Sequence, residues 1–186
     1  MSDLSLTETM EVLNPYLEDI DACLRGGVGT YKSYDARNIA EHTERATRAC
    51  IHDHQIVLAR RLLVGRPGVA ALNVRGLVVL DFHGQVCLRF KKVNGAGRGR
   101  NLQTMQQRLF DRQIEMPGLP KAATRVVAGY VTDAAGLDVR QVLISCPLGR
   151  EILWCVQVGL DRDKRWEDIT PVRIPGTERF TRYGQA

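Results

Sequence analysis

Paired cysteines, long apolar runs and aromatic residues are all scarce in this chain of 186 residues. Its five cysteines, Cys23, Cys50, Cys87, Cys146 and Cys155, are odd in number and never fall in CxxC spacing, which suggests neither a disulfide framework nor a zinc ribbon. Each sits in an apolar setting, such as ILWCVQV around Cys155, where a free thiol behaves as a small hydrophobe. The longest apolar runs, Gly76 to Leu80 among them, fall far short of the roughly 20 residues that a membrane span requires. The opening MSDLSLTETMEVL carries acids and lacks the basic flank and apolar stretch of a secretory signal, so a cytoplasmic location without a membrane partner is expected. Two tryptophans are too few to argue for base-stacking platforms. Ser145-Cys146-Pro147 is no nucleophile elbow, and no glycine-framed serine or cysteine has a convincing partner histidine. There is no internal repeat and no low-complexity tract.

What is present reads as a folding domain. Apolar residues are 44% and charged residues 25% of the chain, ordinary globular usage. Asn14-Pro15 suits a helix start, with Leu17, Ile20 and Leu24 on one face, and Gly26-Gly27 reads as its stop. Asp35 to Leu63 reads as one amphipathic helix of about 42 Å, long enough to lean on a partner subunit as a homo-oligomer contact or to break near His52. GRPG at 65–68 ends it. Val69 to Phe82 reads as β, His83-Gly84 as a tight turn, and Gln85 to Val93 as the returning strand with one basic face. Asn101 is a plausible cap for a short helix carrying Leu102, Met105, Leu109 and Phe110. Thr124 to Thr132 and Val139 to Ser145 form a second hairpin, and Glu151 to Val158 another strand.

The expected fold is therefore α+β: N-terminal helices, one of them long, packed on a mainly antiparallel sheet of about five to six strands with one short inserted helix. The expected organisation is a helical region over 1–66, a β-rich core over 67–160 and an extended tail over 161–186.

Charge is unevenly distributed. Between Arg89 and Arg112 stand seven basic residues, Arg89, Lys91, Lys92, Arg98, Arg100, Arg108 and Arg112, against the single acid Asp111; that local surplus of six exceeds the +5 of the whole chain. The block straddles NGAGRGRN and precedes a helix start. Lysine and arginine neutralise phosphates, glycines admit close backbone approach, and a helix N-terminus adds partial positive charge. Arg98, Arg100 and the amides near Asn101 would form an anion cradle, for nucleic acid or for an acidic partner protein. A solvated strand face and a turn would look the same in sequence.

The run LRFKKVNGAGRGRNLQTMQQRLFDRQIEMPGLPKAATRVVAGYVTDAAG, followed by QVLISCPLGREILWCVQV, resembles a group of small uncharacterised bacterial proteins that share an LxRFKK strand, an SRN-type loop, an LPGLP turn, a GYVxD hairpin and a TCP-type strand. The likeness covers roughly residues 75–158. Such proteins are often encoded beside a helix-turn-helix protein joined to an ImmA/IrrE-type zinc metallopeptidase, an arrangement typical of mobile elements and toxin–antitoxin loci. The resemblance implies a partner encoded nearby more than a chemistry, and no residue role carries over. Where the group's loop runs R-N-Y-P-T, this chain has Arg100-Asn101-Leu102-Gln103-Thr104.

Two other chemistries are open. The order helix, strand with an acid, strand with a lysine, helix is that of a metal-dependent nuclease of the PD-(D/E)xK type, with Glu44 as helical acid, Asp81 as metal ligand and Lys91 as catalytic lysine. Arg89 then occupies the position where a second ligand should stand, so a degenerate form is expected, and Asp81 equally well opens the turn before Gly84. Cys50 and His54 have the i, i+4 spacing of a zinc pair, with His52, His83 and Cys87 not far away in sequence, although histidines on a charged helix are more often satisfied surface residues. Trp154 reads as core, and Trp166 in DRDKRWED as an anchor at a protein interface or a pin for the tail. No cofactor is expected. The favoured reading is a non-enzymatic binding module of a toxin–antitoxin or mobile-element system, with a degenerate nuclease and a purely protein-binding regulator or immunity factor as the alternatives.

Overall fold

The computed structural model describes residues 5–99, 104–134, 136, 138–159 and 164–171. The chain begins with α1 (Leu6–Leu13), whose start is fixed by a capping box: Ser5 Oγ accepts from the Glu8 amide while Glu8 accepts from the Ser5 amide. A 3-10 turn over Asn14–Tyr16 places Pro15 where a missing N–H costs nothing and leads into α2 (Leu17–Lys32).

Gly26 and Gly27 do not end this helix; they lie within it. The reason is close packing against α4 (Glu44–Leu62): a Cβ on Gly27 would stand 2.4 Å from Gln55 Cγ and 3.0 Å from the Ile51 carbonyl oxygen. Nor is there one long helix over 35–63. α3 (Ala36–Glu41) is capped by Asp35, His42 turns extended, and Thr43 caps α4 by accepting from the Ala46 amide. The break is at His42-Thr43, not near His52. His42 is held there by a 3.0 Å hydrogen bond between its Nδ1 and Tyr31 Oη. The 19 residues of α4 span about 28 Å and pack on α2 through Ile51, Gln55 and Ala59.

The sheet has seven strands in sequential order: β1 (Val69–Val74), β2 (Leu77–Phe82), β3 (Val86–Lys92), β4 (Thr124–Thr132), β5 (Val139–Leu148), β6 (Glu151–Val158) and β7 (Trp166–Asp168). The count is slightly above the five to six expected, for two reasons. The stretch 69–82 is two strands, because Arg75 and Gly76 both adopt positive φ (51° and 82°) in a two-residue turn whose Gly76 amide donates to Asn73 Oδ1. The second is β7, in the segment read as tail, which pairs with β6.

All neighbours are antiparallel except β3 and β4, which run parallel over Val86–Lys92 and Thr124–Tyr130. A parallel pair needs a crossover of a dozen residues or more, and residues 93–123, with α5 (Met105–Asp111), provide it. α5 begins three residues later than the Leu102 start expected, with Thr104 as its cap, accepting from the Gln107 amide. Asn101, the expected cap, lies outside the described residues.

The crossover divides the core. Helices α1, α2 and α4 cover one face of the sheet over Leu80, Phe82, Leu88, Phe90, Val126, Ile144 and Val156. The crossover covers the other over Val79, Cys87, Val127, Leu143 and Cys155, with Phe110 and Leu119 from above. Covered twice, β4 and β5 read as near-continuous apolar runs. Among the described residues no helix is long and apolar enough to cross a membrane.

Candidate anion-binding site

The glycine-rich segment after β3 is a built turn. Asn94 Oδ1 accepts from the amides of Ala96 and Arg98, and the Asn94 amide donates to the Arg98 carbonyl. Gly97, at φ 73°, is pressed onto the sheet: its carbonyl accepts from Ser145 Oγ at 2.9 Å, and a Cβ there would stand 2.7 Å from Ser145 Cβ. Gly99 bridges back to Val93 and leaves room for Lys91, whose Nζ lies 2.6 Å from where a Gly99 Cβ would be. The segment thus folds over the end of β3 and aims Arg98 outward.

Two further contacts close the site. Gln113, at φ 57°, ends α5 and staples it to the sheet: its amide nitrogen donates to the carbonyls of Arg125 (2.8 Å) and Pro147 (2.9 Å), and its oxygen accepts from the Arg125 amide. The Gly149 amide donates to the Asp111 carbonyl at 2.7 Å, tying the β5–β6 turn to the helix end. Between turn, helix and hairpin lies a cleft of about 730 Å³.

Five cations line it: Lys91, Arg98, Arg108, Arg112 and Arg150. None of them makes an ion pair with a described carboxylate. Asp111 and Glu151 are the acids on the lining. Burial lowers the Lys91 pKa, Asp111 opposes the shift, and the Arg89 charge adds to it. Cations without ion pairs among the described residues, glycine backbone and a concave floor can receive the oxygens of phosphate or carboxylate groups.

The basic block does not converge entirely. Lys91, Arg98, Arg108 and Arg112 meet in the cleft, whereas Lys92 follows the alternation of β3 toward α4. Arg89 is half-buried on the α5 side of the strand, its guanidinium over the Phe110 ring at 5.3 Å, and burial lowers its pKa to about 10 although Asp111 favours the charge. Arg100 and Asn101 lie outside the described residues. Arg150 joined from the CPLGRE turn, about 40 residues distant, without local charge clustering to mark it. Arg125, 1% exposed beneath α5, was hidden inside an apolar strand.

The nuclease constellation is not assembled. Asp81 faces Cys87 across β2 and β3, four residues from Lys91 and so about 13 Å along the strand, and its Oδ1 accepts from the Gly84 amide as a turn residue does. Glu44 stands at the start of α4, across the sheet, ion-paired with Arg48. The zinc pair fares likewise: His54 Nε2 is hydrogen-bonded to Tyr34 Oη at 2.7 Å, and Cys50 packs against the core beneath the helices. Among the described residues no group of three or more His, Cys, Asp or Glu could hold a metal ion. Burial lifts the thiols of Cys23 and Cys87 to about 12 and that of Cys155 to about 11, which keeps them protonated and unreactive. Trp166 is half-buried on β7 and packs against this chain's own core. Comparisons with family models, with curated proteins and with solved structures give no match.

Proposed function

We propose that the chain is a non-enzymatic binding module whose cleft takes the backbone of a nucleic acid. The observation that carries the reading is the meeting of Lys91, Arg98, Arg108, Arg112 and Arg150 around one concavity, drawn from three separated segments and without ion pairs to described carboxylates. Four of the five are arginines, whose planar fork matches phosphate oxygens two at a time. A volume of about 730 Å³ falls in the range of about 300–1,000 Å³ of ordinary ligand sites. Membership of a toxin–antitoxin or mobile-element system belongs to the same proposal and is supported by the LRFKK, MPGLP and GYVTD resemblance.

The test is affinity for labelled oligonucleotides as a function of salt. If all five cations meet phosphates, log K should fall against log salt with a slope of about −3.5 for a single strand or −4.5 for a duplex. Arg98→Ala with Arg112→Ala should weaken binding and flatten the slope by about 1 per lost contact. Absent or salt-insensitive binding would overturn the reading, and co-purification with an acidic neighbour-encoded protein in its place would favour the protein-binding regulator.

A further inference from the structure

The C-terminal half of β3 is open on one side. β2 pairs with it only over Val86–Leu88, while β4 follows it to Lys92. No described strand fills the gap beside Arg89–Lys92. Helix α4 approaches that edge from one face and α5 from the other, leaving a pocket of about 170 Å³. Arg48 and His52 of α4, Arg89, Lys91 and Lys92 of β3, and Gln107 of α5 line it.

One cation of this pocket, Arg89, lacks a bonded anion. Arg89 Nη1 is buried without a hydrogen-bond acceptor, and no described carboxylate comes within the 4.0 Å of an ion pair with Arg89. A charged N–H removed from water and left unbonded is costly, and an oxygen placed against it recovers that cost. Burial first and the neighbouring Arg89 charge second lower the pKa of His52, with Asp53 opposing. At about 170 Å³ the pocket is below the range of about 300–1,000 Å³ that holds drug-sized molecules. It suits one tetrahedral oxyanion and excludes a nucleotide.

Its position relates it to the cleft, since Lys91 and Gln107 line both. We infer that the pocket receives the terminal phosphate of a strand lying in the cleft, an inference that rests on the nucleic-acid reading above. A terminal monoester carries a charge of about −1.5 to −2 at neutral pH, against one for an internal diester, and presents three oxygens free to accept. A pocket that gathers three β3 cations, beside an α4 guanidinium already paired with Glu44, therefore favours strand ends over internal phosphates.

Oligonucleotides of one sequence bearing a 5′-phosphate, a 3′-phosphate or hydroxyls at both ends test this by fluorescence anisotropy on the full chain. One phosphorylated end should bind at least tenfold more tightly than the hydroxyl form. That ratio should fall toward one in Arg89→Gln and, as a variant at a partly exposed position that spares the core, in Lys92→Ala. Inorganic phosphate is titrated in parallel against the His52 imidazole signal by NMR. Equal affinity for the three oligonucleotides would overturn the strand-end inference while leaving the cleft reading in place, and binding of none would overturn both. A His52 response to inorganic phosphate with no preference among the oligonucleotides would assign the pocket to the free oxyanion and equally overturn the inference.

Discussion

The two faces of the sheet are built on different terms. Beneath α1, α2 and α4 lies the larger apolar cluster, and three of the histidines around it are hydrogen-bonded to tyrosine hydroxyls: His42 to Tyr31, His54 to Tyr34 and His83 to Tyr16. Beneath the crossover the apolar cluster is smaller, and Arg89 Nη1 and Arg125 Nε are buried without acceptors. The surface above them carries the five-cation cleft. The contrast is one of degree: the helical side bonds these three histidines internally, although Thr9 Oγ1 stays without a partner, and the other side gathers like charge that Asp111 and Glu151 offset only in part, which is the face to which binding is proposed.

Substitutions can separate the two faces. The largest effect belongs to Leu24→Ala, at a fully buried position under the helices, which should cost about 2–5 kcal/mol in urea unfolding while the folded fraction keeps its oligonucleotide affinity. Lost affinity in that fraction would break the separation. Gly27→Ala comes next, since a methyl group there meets Gln55 and the Ile51 carbonyl; overpacking of this kind costs about 1–3 kcal/mol, again without a change in binding.

Thr104→Ala sharpens the comparison from the other side. Losing the cap of α5 should cost about 1 kcal/mol, and because α5 carries Arg108 and Arg112, affinity should drop together with stability. Preserved affinity would mean that the helix is held by Gln113 and Gly149 alone.

The smallest effect is a pH dependence. His52 has its pKa lowered below 6.5 by burial first and by Arg89 second, with Asp53 opposing. The folded state then binds fewer protons there than the unfolded chain, so stability should decline as pH falls through 6.5 toward the lowered value. His52→Gln should remove that part of the decline, and identical slopes in both proteins would contradict the assignment.

Much of this division was legible in sequence. Some element ends were marked, by Asp35, by GRPG at 65–68 and by His83-Gly84, which makes the turn its composition announced, whereas the caps Ser5, Thr43 and Thr104 were not read. Misreadings came where tertiary packing overrode a local signal. Gly26-Gly27 looks like a helix stop because glycine is poor in helix interiors, yet here it admits α4. Helix periodicity continued across His42-Thr43 because nothing in the residues themselves records the Tyr31 hydroxyl that holds the break. Lys91 and Lys92 were read as one basic surface, and the alternation of β3 parts them, because neighbouring side chains of a strand point to opposite faces. Arg150 was invisible because charge clustering in sequence cannot report a turn brought in by strand pairing.

Opposed charge reversals give the most direct test of this division. Arg108→Glu with Arg112→Glu alters the cleft, and Arg60→Glu with Arg61→Glu alters the exposed last turn of α4, so the net charge change is the same in each. Oligonucleotide affinity at fixed salt should be lost in the first protein and nearly retained in the second. Equal losses in both would show that binding follows total charge, contradicting a dedicated face.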